Sequence, residues 1–326
     1  MQDFGVSFTL QTPILFLAFN RPDTTHKVFN VIRQVKPPRL YAAVDGPRLN
    51  TVGEVEKVSQ VRDLIQNSID WNCEVKTLYR NNNLGCRRAV SSAITWFFEH
   101  EEEGIVLEDD CLPNPTFFRF CQELLHKYRF DSRVMMISGN NFQYSRKRTN
   151  YSYYFSRYSH IWGWATWRRA WKLYDKDLSY WRELQQGDYL ADIFRGDEYA
   201  IPSWEKIFRT VYAGNIDTWD YIWTLSSWMQ NGLSITPNLN LVSNIGFGIN
   251  ATHTKADAGV QANMTSHAME FPLNHPPFVI RDTRADSFTE RHILKHTVLQ
   301  RRYGWLTTNV NRFKQFILRE KTSLDN

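Results

Sequence analysis

Gly104-Ile-Val-Leu-Glu-Asp-Asp110 is a short apolar run that ends in three adjacent acids, Glu108, Asp109 and Asp110. Such a run reads as a fully buried strand of a parallel sheet. Three carboxylates at the mouth of a buried strand lose solvation and repel one another unless a cation relieves them. A hard divalent ion with oxygen ligands is the simplest relief, and it would in turn hold a phosphate. Taken alone, the three acids also fit a solvated loop, so the rest of the chain has to decide between the two.

Working outward, the first half alternates buried runs with helical patterns. Pro13-Ile-Leu-Phe-Leu-Ala-Phe19 reads as a strand closed by Asn20-Arg21-Pro22, and a helix is expected over about 24–35 before the Pro37-Pro38 breaker. Leu40-Tyr-Ala-Ala-Val44 is a second strand ending at Asp45-Gly46-Pro47, and a helix near 54–67 precedes a third strand over 74–79. Ala89, Val90, Ala93, Ile94, Phe97 and Phe98 mark one helical face leading into the acidic strand. A helix over 117–128 and a fifth strand over 134–138 follow. This succession predicts an α/β fold, a Rossmann-like, mainly parallel sheet flanked by helices. Ligands of such sheets bind at the carboxyl ends of the strands. Asn20, Arg21, Asp45, the loop 80–85 and Glu108 to Asp110 all fall there.

The second half has a different texture: 151–171 and 215–228 are dense in aromatics, with a charged helical region between them. The division expected is a nucleotide-binding half over 1–150, an acceptor-side half over 151–275 and a basic helical tail over 276–326. The 12 tryptophans suggest ring surfaces used for binding.

The candidate chemistry begins with the acids. A metal held by Asp110, with Asp109 or Glu108 beside it, would bridge a diphosphate and neutralise a leaving group. Mg²⁺ and Mn²⁺ suit such a site, since both accept few protein carboxylates plus phosphate oxygens and waters. Asp45 fits either an Asp-Gly-Pro turn or a contact to a nucleobase or ribose. Asn20 and Arg21 fit either a helix cap or a nucleotide contact. In the stretch 80–88, Asn82, Gly85 and a helix N-terminus with Arg87 and Arg88 nearby form a candidate anion site. That stretch lacks the spacing of the phosphate-binding and dinucleotide-binding loops.

Here the arrangement resembles nucleotide-sugar-dependent glycosyltransferases of the GT-A fold. Leu107-Glu-Asp-Asp110, Pro115-Thr-Phe-Phe118, Met136-Ile-Ser-Gly-Asn140 and Asn82-Asn-Leu-Gly85 are similar to N-acetylglucosaminyltransferase I and to bacterial hemolytic-protein-like glycosyltransferases. The resemblance covers about residues 11–255 and leaves the tail out. It implies that Asp110 binds the metal directly, that Glu108 and Asp109 contact ribose or sugar, and that Asp45 binds uracil. It makes His253 a late metal or phosphate ligand, where an ordinary surface histidine is the competing reading. Thr218-Trp-Asp-Tyr-Ile-Trp223 resembles the segment whose carboxylate deprotonates the acceptor. Asp220 is then the base, with Asp217 as the alternative; a helix cap suits Asp220 equally. Ser159-His-Ile-Trp-Gly-Trp-Ala165 is read as a sugar-binding wall with Trp162 or Trp164 stacking on a ring, against the competing reading of core packing, and His160 as a contact to the donor pyrophosphate. The resemblance implies a metal-dependent, inverting transfer from a UDP-sugar to a glycan or lipid-linked acceptor, in bacterial surface-polysaccharide assembly. The rivals are a sugar nucleotidyltransferase and an inactive sugar-binding subunit.

Charge excludes one class of partner. The formal charge is +5, and eight basic residues against three acidic ones from residue 290 onward account for all of it. A neutral body argues against nucleic acid. The tail, with Leu299, Tyr303, Trp305, Leu306, Val310, Phe313, Phe316 and Ile317, either lies on an anionic membrane surface or packs on the domain. Four cysteines without a CxxC pair suggest reduced thiols, and no run of about 18 apolar residues occurs. A cytoplasmic protein is expected, with peripheral contact to the inner membrane face through the tail as an option.

Overall fold

Alternation within the buried strands dictates how the sheet is covered. The structure, a computed structural model, describes residues 8–187, 189–194, 200–247 and 263–294. In β1 (Ile14–Ala18), Ile14 and Phe16 join one apolar cluster while Leu15 and Leu17 join another. A strand apolar on both faces needs a layer on each side. On the first side lie α1 (Pro22–Val35), α2 (Glu54–Asn67) and α4 (Thr116–Lys127), which contribute Val28, Phe29, Ile32, Val58, Val61, Phe117 and Leu124. On the other, α3 (Gly85–His100) sets Ala93, Ile94 and Phe97 against Leu15 and Leu17. The predicted α/β architecture, a mostly parallel sheet flanked by helices, is the one observed.

The remaining main-sheet strands are β2 (Arg39–Val44), β3 (Glu74–Tyr79), β4 (Glu103–Glu108), β6 (Val134–Ser138), β7 (Tyr153–Ser156), β8 (Trp164–Trp167) and β9 (Leu233–Pro237). They run in the order β3-β2-β1-β4-β8-β6-β9-β7, eight strands in all. β1 pairs in parallel with β2 and with β4, and β6 with β9; β8 and β7 enter antiparallel. A two-stranded antiparallel ribbon, β5 (Cys111–Pro113) with β10 (Val242–Asn244), follows the acidic turn. The register sets Asn244 opposite Cys111, which brings a segment about 130 residues away in sequence back to the acids.

Two expectations change. β8, from the aromatic half, lies between β4 and β6 of the nucleotide half. The halves divided at about residue 150 therefore share one sheet, because β4 and β6 find their partner in β8. A first compact unit extends to Asp282 and a second begins at Thr283. Within the second, α10 (Thr283–Thr289) is followed by a π-helical turn, Glu290–Leu294.

The tryptophan surplus is mainly core. Eight of the twelve are buried. Trp164 stacks on Trp219 at 5.5 Å, and Trp171 lies 5.2 Å from Trp223. Two of these N–H groups find partners: Trp171 Nε1 donates to Thr95 Oγ1 at 3.0 Å and Trp223 Nε1 to Met136 Sδ at 3.2 Å, while Trp164 Nε1 is buried without one. This cluster is the footing of α9 (Asp220–Trp228), packed under the sheet face that α3 also covers.

Helix α5 (Arg168–Trp171) continues directly from β8, and α6 (Trp181–Gln186), α7 (Tyr189–Ile193) and α8 (Ala200–Tyr212) account for the charged helical region. No helix among the described residues is long and apolar enough to cross a membrane. The four cysteines are unpaired. The segment 297–321, read from sequence as a candidate membrane-surface tail, lies outside the described residues.

Candidate active site

The strand order reverses between β1 and β4. From β1 the chain steps outward to β2 and β3, then returns to place β4 on β1's other side. At such a switch point the strand ends diverge and leave a crevice at their carboxyl side. The residues leaving β1 are Phe19, Asn20 and Arg21; those leaving β4 are Asp109 and Asp110. Two bonds tie the strand ends together. The Phe19 N–H donates to Asp109 Oδ2 at 3.1 Å, and Arg21 Nη1 donates to Asp110 Oδ2 at 2.7 Å.

These bonds separate the roles of the three acids. Asp109 is 8% exposed and turned against the β1 backbone. Burial, and next the Asp110 charge, push its carboxyl up to about 7. Glu108 lies well above the usual carboxylate range, through burial first and then the charges of Asp110, Asp109 and Asp220. Asp110, its side chain 17% exposed, keeps an oxygen near solvent while pairing with Arg21. The backbone closes over this pair, since Ile245 N–H donates to the Asp110 carbonyl at 2.8 Å. A Cβ on Gly246 would collide with Asp110 Oδ2 and stand 2.7 Å from Arg21 Nη1. Only a residue without a side chain lets the strand pass so near.

The second strand end is organised differently from the expectation. Asp45 is 8% exposed and braces the loop 80–84, accepting from Asn83 Nδ2 at 3.0 Å and from the Leu84 N–H at 3.0 Å. Its carboxyl is raised by burial against the lowering effect of those bonds. Asn20 donates to Glu54 Oε1 at 2.7 Å, and Glu54 is itself paired with Arg48. Asp45 and Asn20 thus hold neighbouring chain in place. Asn82 and Arg88 are exposed.

The helix N-terminus at Gly85 does hold an anion, and the anion belongs to the chain. Asp217 accepts from the Cys86 N–H at 2.8 Å and the Arg87 N–H at 3.1 Å. The free anion site read at 80–88 is corrected accordingly: a carboxylate 131 residues away caps α3, satisfying donors a helix end otherwise leaves open. Gly85, at φ +78°, lets the cap approach, because a Cβ there would stand 2.5 Å from Asp217 Oδ2.

Asp217 brings Asp220 with it. Asp220 begins α9 and accepts from the Thr218 hydroxyl. It lies near enough to Glu108 and Cys86 for its charge to raise both groups. The Cys86 thiol is pushed up by burial and then by Glu108, Asp220, Asp217 and Asp110, so it is a neutral filler among four carboxylates. Sequence reading missed Cys86 and Gly246. Their signal, a residue beside a cap and a glycine in a Gly-Phe-Gly run, has meaning only once the partners are known.

The expected aromatic wall is only partly there. Trp164 has no exposed surface, so its ring offers no face to a sugar. Trp162 is half-buried, edge-on to Phe142 at 5.1 Å and to Phe247 at 5.5 Å, and Phe247 follows Gly246. His160 is buried beside Phe142, and burial holds its imidazole down to about 4, so the ring is neutral. Asn140 is 1% exposed, and neither atom of its side-chain amide has a hydrogen-bond partner. Ser138 and Val106 both lie opposite Trp164. Glu108, the last residue of β4, and Asn140, two residues past the end of β6, therefore stand near one level, about 10 Å apart by strand spacing. An orphaned buried amide is costly, and a ligand or water would relieve it. His253 lies outside the described residues. Among the described residues no three His, Cys, Asp or Glu side chains are grouped to hold a metal ion by themselves.

Comparisons with known proteins bear on the fold. No family model matches the chain, and no curated protein matches it in sequence. Solved structures do align. S. aureus TarS 1–349 is 9% identical at a TM-score of 0.38, covering 72% of this chain and 59% of that one. An apo UDP-glucose pyrophosphorylase is 9% identical at 0.36, covering 72% and 93%. HddC from Yersinia pseudotuberculosis is 10% identical at 0.31, covering 52% and 83%. At such scores none of them assigns an activity to this chain, and the reading of the site rests on its own geometry.

Proposed function

We propose that the chain is a metal-dependent glycosyltransferase that takes a nucleotide-diphosphate sugar, a UDP-sugar first, and delivers the sugar to a hydroxyl of a glycan or lipid-linked acceptor. The observation that carries this reading is the convergence of Glu108, Asp110 and Asp220 at the crevice between β1 and β4. Glu108, desolvated and crowded by Asp110, Asp109 and Asp220, lies well above the usual carboxylate range; a cation would relieve that crowding, and the crevice is where a nucleotide sits in such sheets.

The donor set fits Mg²⁺ or Mn²⁺. Asp110 offers one partly exposed carboxylate, and these ions commonly take one or two protein carboxylates with phosphate oxygens and waters completing the shell. Among the described residues no three His, Cys, Asp or Glu side chains form a cage, so phosphate oxygens and waters would have to complete the shell. When bound, the ion would screen the acids and neutralise charge on the departing diphosphate. Arg21, beside Asp110, would be placed to donate to a phosphate oxygen of the donor. Asp220, fixed by the Thr218 hydroxyl, accepts the acceptor's proton. The acceptor oxygen bonds to the anomeric carbon as the carbon–oxygen bond to the diphosphate breaks, and in-line attack inverts that centre. A nucleotidyltransferase would carry a glycine-rich, Lys/Arg-containing loop after β1; here that turn is Asn20-Arg21-Pro22-Asp23, which has no glycine.

The test is release of UDP from a panel of UDP-sugars with and without Mn²⁺. Asp110→Ala is expected to abolish metal-dependent release. Asp220→Asn should bind UDP as the native chain does while turnover falls about a hundredfold to ten-thousandfold. Undiminished transfer by Asp220→Asn would sink the base assignment.

A further inference from the structure

A second concavity opens beside the crevice. Its volume is about 1390 Å³, larger than the roughly 300–1,000 Å³ that enclose one small ligand. One wall is the outer face of α3; the other is the stretch from Arg168 to Asp177, which follows β8. Trp171 and Tyr174, stacked at 4.4 Å, line it between the walls. Arg87 joins the walls by donating to the Lys176 carbonyl. At one end stands Asp217, the cap of α3, and Tyr174 lies within electrostatic reach of Asp220.

Five cations line this groove: Arg87, Arg88, Arg168, Lys172 and Lys176. Three carboxylates, Glu99, Asp177 and Asp217, line it with them. Asp217 is already bound by two N–H groups of α3, and Arg168 is paired with Glu102 at 2.7 Å. The other four cations enter no ion pair among the described residues and face two remaining acids. Their convergence from two distant segments into one concavity focuses positive potential there. Ser91, Ser92 and Thr95 add hydroxyls along the α3 wall.

We infer that this groove seats an acidic glycan, a strand bearing uronic carboxylates, as the acceptor whose end is offered to Asp220. The inference rests on the sugar-transfer reading for the word acceptor, and on the groove alone for the charge of its occupant. A concave, walled groove does not fit a planar membrane. A handful of cations amid hydroxyls, in a body whose formal charges balance up to residue 289, falls short of the phosphate-tracking surface that nucleic acid requires.

The test uses the full chain, with hexagalacturonate and neutral maltohexaose as probes and UDP with Mn²⁺ titrated in the same preparations. Lys172 and Lys176 are exposed, so Lys172→Glu/Lys176→Glu and the neutral Lys172→Gln/Lys176→Gln leave the fold intact, as circular dichroism would check. Hexagalacturonate should bind and maltohexaose should not. Binding should weaken about tenfold or more in the charge-reversed variant, less in the neutral one, and fall as salt rises from about 50 to about 300 mM. UDP binding should stay unchanged in both variants. Equal binding of maltohexaose, equal binding by the reversed variant, or preference for oligo-deoxythymidine or anionic vesicles would each overturn the groove. Failure of the native chain to bind UDP would sink the transfer reading instead, and leave charge-dependent glycan binding standing.

Discussion

Asp109 demonstrates how one side chain in the triplet can be costly and still be kept. Its carboxyl rises from an ordinary 3.8 to about 7 because burial and the Asp110 charge both disfavour the ionised form. A proton held more tightly in the folded state stabilises that state fully below about pH 4, and the benefit is lost as pH rises through about 7. Asp109→Asn removes the titration while keeping an oxygen for the Phe19 N–H. Unfolding free energies from urea denaturation should therefore place the variant above the native chain by about 1–3 kcal/mol near pH 8, and within about 0.5 kcal/mol of it near pH 4. His160, held neutral by burial, runs the other way with pH, but it is common to both proteins and cancels. A native chain as stable as Asp109→Asn at about pH 8 would mean that the fold does not raise the Asp109 carboxyl. The motif Leu-Glu-Asp-Asp was legible from sequence; that Asp109 faces the β1 backbone was not, because only strand pairing sets which acid meets Phe19.

At the scale of elements, α3 depends on a residue from another part of the chain. The Cys86 and Arg87 N–H groups are capped by Asp217, across the Gly85 approach, while the local Asn83 reaches only the Gly85 N–H, at 3.3 Å. Asp217→Ala should cost about 1 kcal/mol, within the roughly 0.5–2 kcal/mol range of helix caps, and chemical denaturation would measure it. Amide exchange at Cys86 and Arg87 should accelerate in the same variant. Asp217→Asn, which keeps an acceptor oxygen, should lose less. No change in either amide would show that water serves α3 as well as the carboxylate does. The helix itself was readable from its apolar face, and even the helix-end anion preference was readable. The identity of the anion depends on how α9 packs against the Trp164, Trp171 and Trp219 cluster, which no local pattern encodes.

For the whole molecule, the interleaving of strands argues against separable halves. A chain ending at residue 150 would leave β4 and β6 without β8 between them and β6 without β9. Exposed apolar strand edges are poorly tolerated. Such a fragment should show no cooperative thermal transition by calorimetry, whereas a sharp one would restore the two-half division. The same topology separates what each level of description could know. Composition and periodicity alone determined the parallel α/β class, the β1-to-β4 strands within a residue or two, and the clustering of polar residues at strand ends. These follow from short-range rules: buried strands must be apolar, helices must be amphipathic, and connections are short. Only the tertiary structure decided that Trp164 is core, that Asp217 caps α3, and that Asp220 stands beside Glu108. Each of these is a pairing across some 50 to 130 residues, set by which strand lies next to which, and side chains alone carry no address for so distant a partner.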